Sequence, residues 1–158
     1  FQQRAKELGL GEYEVLTLAS IVEKETGADS DRPKIASVFH NRLKLKMRLD
    51  SDPTVIYGLK NFNGNLTRKH LRARTPYNTY KRYGLPPTPI TNPGKASLQS
   101  VLYPAENKFL YFVARGDGSS KFSKTQREDN KAVWYFQKVR KNRKAMSRKR
   151  KQASSAKL

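Results

Sequence analysis

The sequence predicts an α+β fold that is mainly helical and carries a small antiparallel β-sheet. Apolar residues recur at helical spacing over 12–26 and 31–46, which predicts two amphipathic helices. Further along, the β-prone run "FLYFVA" is followed by a Gly-Asp-Gly turn and a return segment beginning at Phe122, the pattern of a β-hairpin. At 158 residues the chain can bury one hydrophobic core, so we expect a single domain.

The remaining elements follow in chain order. The second helix has Ser30 or Asp31 as its N-cap and Pro33 in its first turn. The segment 49–100 is rich in turn residues, with three Pro-containing loops that predict ordered walls rather than a flexible linker. A last helix is predicted around 127–140. No internal repeat is present.

The net charge of +20 is divided between the body of the chain and its end. From Lys138 onward there are 10 basic residues and no acidic ones. We interpret 141–158 as a basic, disordered tail, 12–140 as the folded domain and 1–11 as the end of a connector. Such a tail suits nucleic acid, an anionic membrane surface or an acidic cell-wall polymer, or it only raises solubility.

Several kinds of site are excluded by composition. The chain has no cysteine, which excludes disulfide bonds, Cys-ligated zinc and a Cys nucleophile. His40 and His70 are the only histidines and lack metal-ligand spacing, so no metal site is expected, and His40 is interpreted as structural. No phosphate-cradling Gly-rich loop is present, and no cofactor is expected. The chain also lacks a run of 18 apolar residues that would span a membrane.

Two carboxyl groups lie at the end of the first predicted helix, in "LASIVEKETG". Lys24 falls opposite the apolar stripe, while Glu23 and Glu25 lie at its two edges. Partial burial would raise the pKa of either carboxyl, as a general acid near neutral pH requires. The alternative is an exposed pair in contact with neighbouring basic side chains. Periodicity does not choose between the two glutamates.

Hydroxyl and amide side chains are concentrated in the middle loops. Groups of this kind hydrogen-bond sugars, and the tyrosines of this segment could stack on pyranose rings. Ordinary turn chemistry uses the same residue types, so composition leaves both interpretations open. The residues in question are Ser51, Asp52, Thr54, Tyr77, Asn78, Thr79, Tyr80, Tyr83 and Asn92.

Eight short motifs, in sequence order, together carry a resemblance to a known family. They are "LASIVEKETG", "IASVFHNRL", "LDSDPTVIYGL", "TPYNTY", "GLPPTPITNPG", "SLQSVLYP", "FLYFVARGDG" and "FSKT". Over residues 10 to 137 the chain resembles the catalytic domain of the YceG-like (MltG) family of endolytic murein transglycosylases. This resemblance implies a lysozyme-like catalytic domain that cleaves the MurNAc-β-1,4-GlcNAc bond within peptidoglycan strands.

The resemblance also implies which residues carry the reaction. A single catalytic glutamate maps onto Glu23, which would protonate the glycosidic oxygen and then take the proton of the MurNAc C6 hydroxyl, leaving a 1,6-anhydroMurNAc end without the use of water. Glu25, Asp50 and Asp52 would then be structural or substrate-orienting. Asp52 could bind substrate or act as the N-cap of a short helix at 54–58. The expected substrate-binding residues are Ser51, Asp52, Asn78, Thr79, Tyr80, Phe122 and Ser123.

The chain departs from the family pattern at two positions. Family members often have a histidine in the hairpin where this chain has Ser120, and another where it has Asp129. The family's usual layout adds an N-terminal membrane helix and a LysM-like domain. It implies an inner-membrane protein whose catalytic domain faces the periplasm, near penicillin-binding synthases, where the enzyme would terminate or trim new strands.

Two other functions fit parts of the sequence. The charge of +20 suits a nucleic-acid-binding module, although no RNP, KH or helix-turn-helix signal is found. Relatives have also been labelled aminodeoxychorismate lyase, a pyridoxal-phosphate enzyme that would need a Schiff-base lysine and a phosphate cradle. Strong DNA binding in the absence of the tail would favour the first alternative, and an absorbance band of bound cofactor the second.

Overall fold

The computed structural model describes residues 1–156 and has the predicted α+β architecture. Seven α-helices are found in this part of the chain, together with one antiparallel pair of strands and a single 3₁₀ turn at Asp29–Asp31. The elements are α1 (Gln2–Glu7), α2 (Glu12–Glu25), α3 (Arg32–Lys44), α4 (Asp52–Gly58), α5 (Arg68–Leu71), α6 (Lys95–Leu102), β1 (Tyr111–Ala114), β2 (Ser120–Ser123) and α7 (Gln126–Ala156).

The core is built where α2, α3 and α6 pack against one another. Leu18 and Ile21 of α2 are fully buried, as are Ile35 of α3 and Val101 of α6. Side chains three and four residues apart share one helical face, so these apolar residues form a continuous surface between the helices. The two amphipathic helices predicted at 12–26 and 31–46 are thus confirmed.

The hairpin closes one side of this core. β1 and β2 pair with Phe112 opposite Phe122, and the ring of Phe112 meets that of Phe39 edge-on, with centroids 5.9 Å apart. Gly116 and Gly118 have φ angles of +94° and +93°, which favour glycine. The predicted Gly-Asp-Gly turn therefore lies where the backbone requires it.

The chain between α4 and α6 runs mostly as loops that are held by buried polar groups. The Asn78 side chain is fully buried, and its Nδ2 donates to the carbonyl oxygens of Leu71 and Ala73 at 3.0 Å and 2.6 Å. Its Oδ1 accepts the backbone N–H of Tyr80 at 2.9 Å. Buried backbone groups need such partners, and here one amide side chain supplies them for several residues of the loop.

The C-terminal part of the chain differs from the expectation. The prediction of a disordered tail over 141–158 is wrong for 141–156, because α7 continues without a break to Ala156, whereas 157–158 lies outside the described residues. No Gly or Pro follows Gly118, and the segment consists largely of Lys, Arg, Gln, Ala and Met, which are good helix formers. Charge density alone predicted disorder, and helix propensity prevailed.

At the other end of the chain, residues predicted to be the end of a connector contact the core. Ala5 of α1 is buried, and Arg4 Nε donates to the carbonyl oxygen of Leu102 at 2.6 Å. Within residues 1–156, no helix is both long enough and apolar enough to cross a lipid bilayer.

Candidate active site

A polar pocket of about 320 Å³ opens between the end of α2, the middle of α3, β1 and the start of α7. Carboxyl groups dominate its polar lining, and one buried guanidinium lies among them. An apolar wall formed mainly by α3 and β1 faces them. The lining residues are Glu25, Val38, Phe39, Arg42, Leu49, Asp50, Asp52, Tyr80, Tyr111, Phe112, Gln126 and Asp129.

Glu25, the last residue of α2, lies in this pocket. Its Oε1 accepts a hydrogen bond from Ser51 Oγ at 2.8 Å. Burial raises the pKa of Glu25 to about 7, the Ser51 hydrogen bond partly offsets this effect, and the nearby negative charge of Asp52 adds to it. A carboxyl with this pKa is half protonated near neutral pH, so it can both donate and accept a proton there.

Glu23 lies elsewhere, against the N-terminus of α6. Its Oε1 accepts two hydrogen bonds, one from the backbone N–H of Gly94 at 2.6 Å and one from the hydroxyl of Ser97 at 3.2 Å. Gly94 is the N-cap of α6, and a Cβ there would come within 2.9 Å of Glu23 Oε1, so a larger residue would displace the carboxylate. A carboxylate in this place satisfies the helix terminus and complements its dipole. Glu23 does not contribute to the pocket lining.

The structure brings three of the predicted substrate-binding residues together. Ser51 hydrogen-bonds Glu25, and Tyr80 donates its hydroxyl proton to Asp52 Oδ1 at 2.6 Å. Burial and this bond to Asp52 raise the pKa of Tyr80 above its usual value, so Tyr80 stays protonated. Asp52 is the first residue of α4, and the N-cap of that helix is Ser51, so the alternative interpretation of Asp52 as the N-cap is wrong.

The other predicted substrate-binding residues lie behind or beside the pocket. Thr79 is 2% exposed, and its Oγ1 accepts the Ser51 N–H at 2.9 Å, which holds Ser51 in place. Asn78 is fully buried in the loop. Phe122 packs against the ring of Phe112, and Ser123 is 1% exposed; neither lines the pocket. The direct contact of these residues with substrate stays a prediction. In the structure, Asn78 holds the loop backbone and Thr79 holds Ser51 through hydrogen bonds.

Sequence reasoning missed Arg42, the positive group of the pocket. Its side chain is almost fully buried, and Nε donates to the Leu110 carbonyl at 2.7 Å while Nη1 donates to that of Arg48 at 3.0 Å. Nη1 also lies 3.5 Å from Asp50 Oδ2. One feature of the sequence could have indicated it: Arg42 lies among the apolar residues of "IASVFHNRL", on a helix whose other face is polar.

Two further aspartates line the pocket: Asp50, which was expected to be structural or substrate-orienting, and Asp129, which sequence reasoning missed as a site residue. Burial raises the pKa of Asp50 and of Asp129, and the positive charge of Arg42 partly offsets both shifts. Asp50 has a φ of 49°, a left-handed conformation that aspartate adopts more readily than most residues. With Glu25 and Asp52 they give the pocket a strongly acidic lining beside a single guanidinium.

The two histidines take no part in the pocket. His40 is buried, its Nε2 lies 2.8 Å from the Val101 carbonyl oxygen, and burial lowers its pKa, so the structural interpretation of His40 is confirmed. His70 Nδ1 accepts the backbone N–H of Thr67 at the start of α5. Over residues 1–156, no group of three His, Cys, Asp or Glu side chains is placed to hold a metal ion.

Comparison with known proteins links this chain to a family. Over 132 residues the chain is 43% identical to the endolytic murein transglycosylase of Bacillus subtilis, covering 84% of this chain and 37% of the relative. It is 37% identical over 106 residues to the protein of the same name from Streptococcus pneumoniae, covering 64% of this chain and 19% of the relative. The chain therefore spans well under half the length of both relatives.

The fold comparison agrees. The crystal structure of a YceG-like protein from Listeria monocytogenes superimposes with a TM-score of 0.74 and 45% sequence identity, over 82% of this chain and 41% of that one. The model of the YceG-like family matches residues 1–134, which include every residue of the pocket. The chain belongs to the YceG-like family.

Proposed function

We propose that this chain is a lytic transglycosylase that cleaves MurNAc-β-1,4-GlcNAc bonds inside peptidoglycan strands, with Glu25 as its acid and base. The observation that carries the proposal is the carboxyl of Glu25, which lines the pocket with a pKa raised to about 7. The names of the relatives from Bacillus and Streptococcus support the reaction class.

The choice of Glu25 revises the sequence-based assignment. The resemblance alone assigned the acid to Glu23, which here accepts hydrogen bonds from Gly94 and Ser97 and lies outside the pocket lining. Its catalytic role stays an untested prediction, and the geometry favours its neighbour two residues on. A general acid must be within reach of bound substrate, and of the two glutamates Glu25 is the one that lines the pocket.

The reaction needs one carboxyl group that changes its protonation state twice. Protonated Glu25 gives its proton to the GlcNAc O4 as the bond between MurNAc C1 and that oxygen breaks. The MurNAc C6 hydroxyl oxygen then bonds to C1, and its proton returns to the Glu25 carboxylate. The products are a GlcNAc with a free 4-hydroxyl and a 1,6-anhydroMurNAc end, and no water is consumed.

The acidic lining of the pocket supports the positive charge of the transition state. Charge develops at C1 as the glycosidic bond breaks, and fixed negative groups nearby stabilise such a cation. We assign this role to Asp52, whose orientation is fixed by the Tyr80 hydroxyl, with Asp50 held by Arg42 as a second contributor. An acidic pocket also repels phosphates, which argues against binding of nucleic acid or of pyridoxal phosphate at this site.

Mass spectrometry of purified peptidoglycan strands after incubation with the chain tests the reaction class. We expect internal fragments that end in 1,6-anhydroMurNAc and are 18 Da lighter than hydrolysis products, the mass of one water. Reducing MurNAc ends would show a hydrolase, and the search for a water-activating base would then begin with Asp52 and Asp50.

The basic end of the chain suggests a second type of contact. Between Lys138 and Ala156, α7 carries nine Lys and Arg residues and no acidic residue. We propose that this part of α7 meets an anionic membrane surface or a cell-wall polymer, an attraction that weakens with salt. A membrane anchor in the whole protein, a periplasmic location and proximity to penicillin-binding synthases are proposals carried by the family resemblance.

A further inference from the structure

A second groove of about 440 Å³ lies next to the candidate active site and has the opposite charge. Three lysines from separate parts of the chain line it: Lys44 at the end of α3, Lys108 in the loop before β1, and Lys124 between β2 and α7. No acidic residue lines the groove. Across residues 1–156, none of the three ammonium groups lies within 4.0 Å of a carboxylate. We call this surface the lysine groove.

The walls of the lysine groove are held by internal hydrogen bonds. Asn41 Nδ2 donates to the carbonyl oxygens of Asn107 and Phe109 at 3.0 Å and 2.9 Å. Asn107 Oδ1 in turn accepts from Ser37 Oγ and from the Phe109 N–H, both at 3.0 Å. The amide groups are thus engaged with the protein, and the lysine ammonium groups are left to meet a ligand.

The groove also offers apolar surface. Leu45 is 61% exposed, and Leu110 is partly buried beside it. Long lysine side chains pack their methylene groups along such surface while keeping the charged ends in water. The combination suits a ligand with negative charges and short apolar groups, such as a peptide with free carboxylates and alanine methyls.

The lysine groove and the candidate active site meet at two consecutive residues, Leu110 and Tyr111. Arg42 lines the acidic pocket, and its Nε donates to the carbonyl of Leu110, which lines the groove. Tyr111, the next residue, lines the pocket again. A ligand that occupies the pocket and carries a side branch would cross this boundary to reach the groove.

We infer that the lysine groove binds the carboxylates of the stem peptide carried by a muramic acid residue of the strand in the active site. This inference rests on the proposed function, because muramic acid bears its peptide on the lactyl group beside the bond that is cut. A peptide carboxylate would pair with these ammonium groups and so fix the register of the strand.

The test compares two substrates and two triple variants. The substrates are glycan strands with intact stem peptides and the same strands stripped by an amidase. The first variant replaces Lys44, Lys108 and Lys124 by Gln, and the matched control makes the same change at Lys6, Lys60 and Lys69, which are exposed and line neither cavity. Both variants lose the same net charge.

We expect the wild type and the control to cleave peptide-bearing strands with a KM about tenfold below that for stripped strands, as two or three exposed ion pairs would produce. The groove variant should show equal KM values for both substrates with an unchanged kcat. An undiminished preference in the groove variant would overturn the inference, as would an equal loss of activity on both substrates.

A binding measurement separates this inference from the proposed function. Muramyl tripeptide is titrated against protein with labelled leucine methyl groups, and the signals of Leu45 and Leu110 are followed by NMR. Shifts in the wild type that disappear in the groove variant would support the inference even if no strand were cut. Shifts of equal size in both proteins, or in neither, would contradict it, whatever the outcome of the cleavage assay.

Discussion

At the scale of single residues, two glutamates of one short motif have different surroundings. Glu23 and Glu25 are two residues apart, so their side chains leave α2 about 200° apart. One meets the N-terminus of α6, and the other meets the pocket. The sequence placed both at the edges of an apolar stripe, and only the elements that pack on each edge distinguish them. Those contacts are more than 20 residues away in the chain for Ser51 and more than 70 for Gly94.

The raised pKa of Glu25 predicts how the rate depends on pH. The carboxyl must be protonated to give its proton to the leaving oxygen, and its pKa is about 7. We therefore expect kcat/KM to fall about tenfold for each pH unit well above 7. A pH–rate profile of the wild type checks this, and a rate that stays constant from pH 6 to 9 would contradict it.

The same shift predicts a pH-dependent stability difference. Between pH 4.5 and about 7 the unfolded chain loses the Glu25 proton before the folded one does, so wild-type stability falls as pH rises in this window. Glu25→Gln removes the carboxyl that causes this pH dependence. The free energy of unfolding of the variant should exceed that of the wild type by about 1–3 kcal/mol at pH 8, but by little at pH 4. Urea denaturation at the two pH values measures the gain. An equal gain at both would contradict the shift.

At the scale of elements, Glu23 joins α2 to the start of α6, and Gly94 makes room for it. In Gly94→Ala the new Cβ would come within 2.9 Å of Glu23 Oε1 and displace the carboxylate. We expect a loss of about 1–2 kcal/mol in the free energy of unfolding, the usual effect of removing a charged cap. Cleavage activity of the folded protein should remain.

Gly11→Ala is a matched control for this change. Gly11 is the N-cap of α2 and has nearly the same backbone conformation, with φ −77° and ψ 163° against −75° and 166° for Gly94. Its N–H is also bonded to a glutamate, Glu14, but a Cβ there would lie 3.5 Å from the carboxylate, an ordinary contact. Equal losses in both variants would show that the Glu23 contact contributes nothing.

Arg42 connects α3 to the segments around Arg48 and Leu110, so its replacement should lower the free energy of unfolding. Arg42→Lys removes the guanidinium that reaches the carbonyls of Leu110 and Arg48 together with Asp50. We expect a loss of about 2–4 kcal/mol in urea denaturation, because a lysine cannot bond three groups in this geometry. Arg74→Lys, at an exposed side chain, serves as control and should change stability by less than about 0.5 kcal/mol. Similar effects of the two substitutions would contradict the assigned role.

Local patterns predicted the elements better than they predicted the site. Helical periodicity located α2 and α3, and turn glycines located the hairpin, because these signals depend on neighbouring residues. The pocket depends on side chains from α2, α3, the loop before α4, β1 and α7, which the sequence does not show to be adjacent. Arg42 and Asp129 were missed for this reason. The motif resemblance pointed to the segment that contains both candidate carboxyl groups, and three-dimensional packing gives these two groups different surroundings.

At the scale of the whole molecule, charge is separated into distinct regions. The pocket is lined by four carboxyl groups and one guanidinium, while the net charge of the chain is +20. The basic part of α7 and the lysine groove carry much of the opposite charge. The proposed substrate, a polymer with sugars, amides and carboxylates, carries groups that suit each of these regions.

The basic end of α7 predicts salt-dependent binding to an anionic surface. A chain ending at Lys144 lacks five Lys and Arg residues of the full sequence and keeps the part of α7 that packs on the hairpin. We expect its melting temperature to match that of the whole chain. Its cosedimentation with vesicles containing phosphatidylglycerol should be much weaker at low salt. Unchanged cosedimentation after truncation would contradict the proposed contact.

The central claim is that the pocket at Glu25 carries out the cleavage. The most direct measurement is mass spectrometry of peptidoglycan strands treated with the wild type, Glu25→Gln and Glu23→Gln, each shown by circular dichroism to be folded. The account predicts internal 1,6-anhydroMurNAc products from the wild type and from Glu23→Gln, and none from Glu25→Gln. Cleavage by Glu25→Gln, with none by a folded Glu23→Gln, would contradict it.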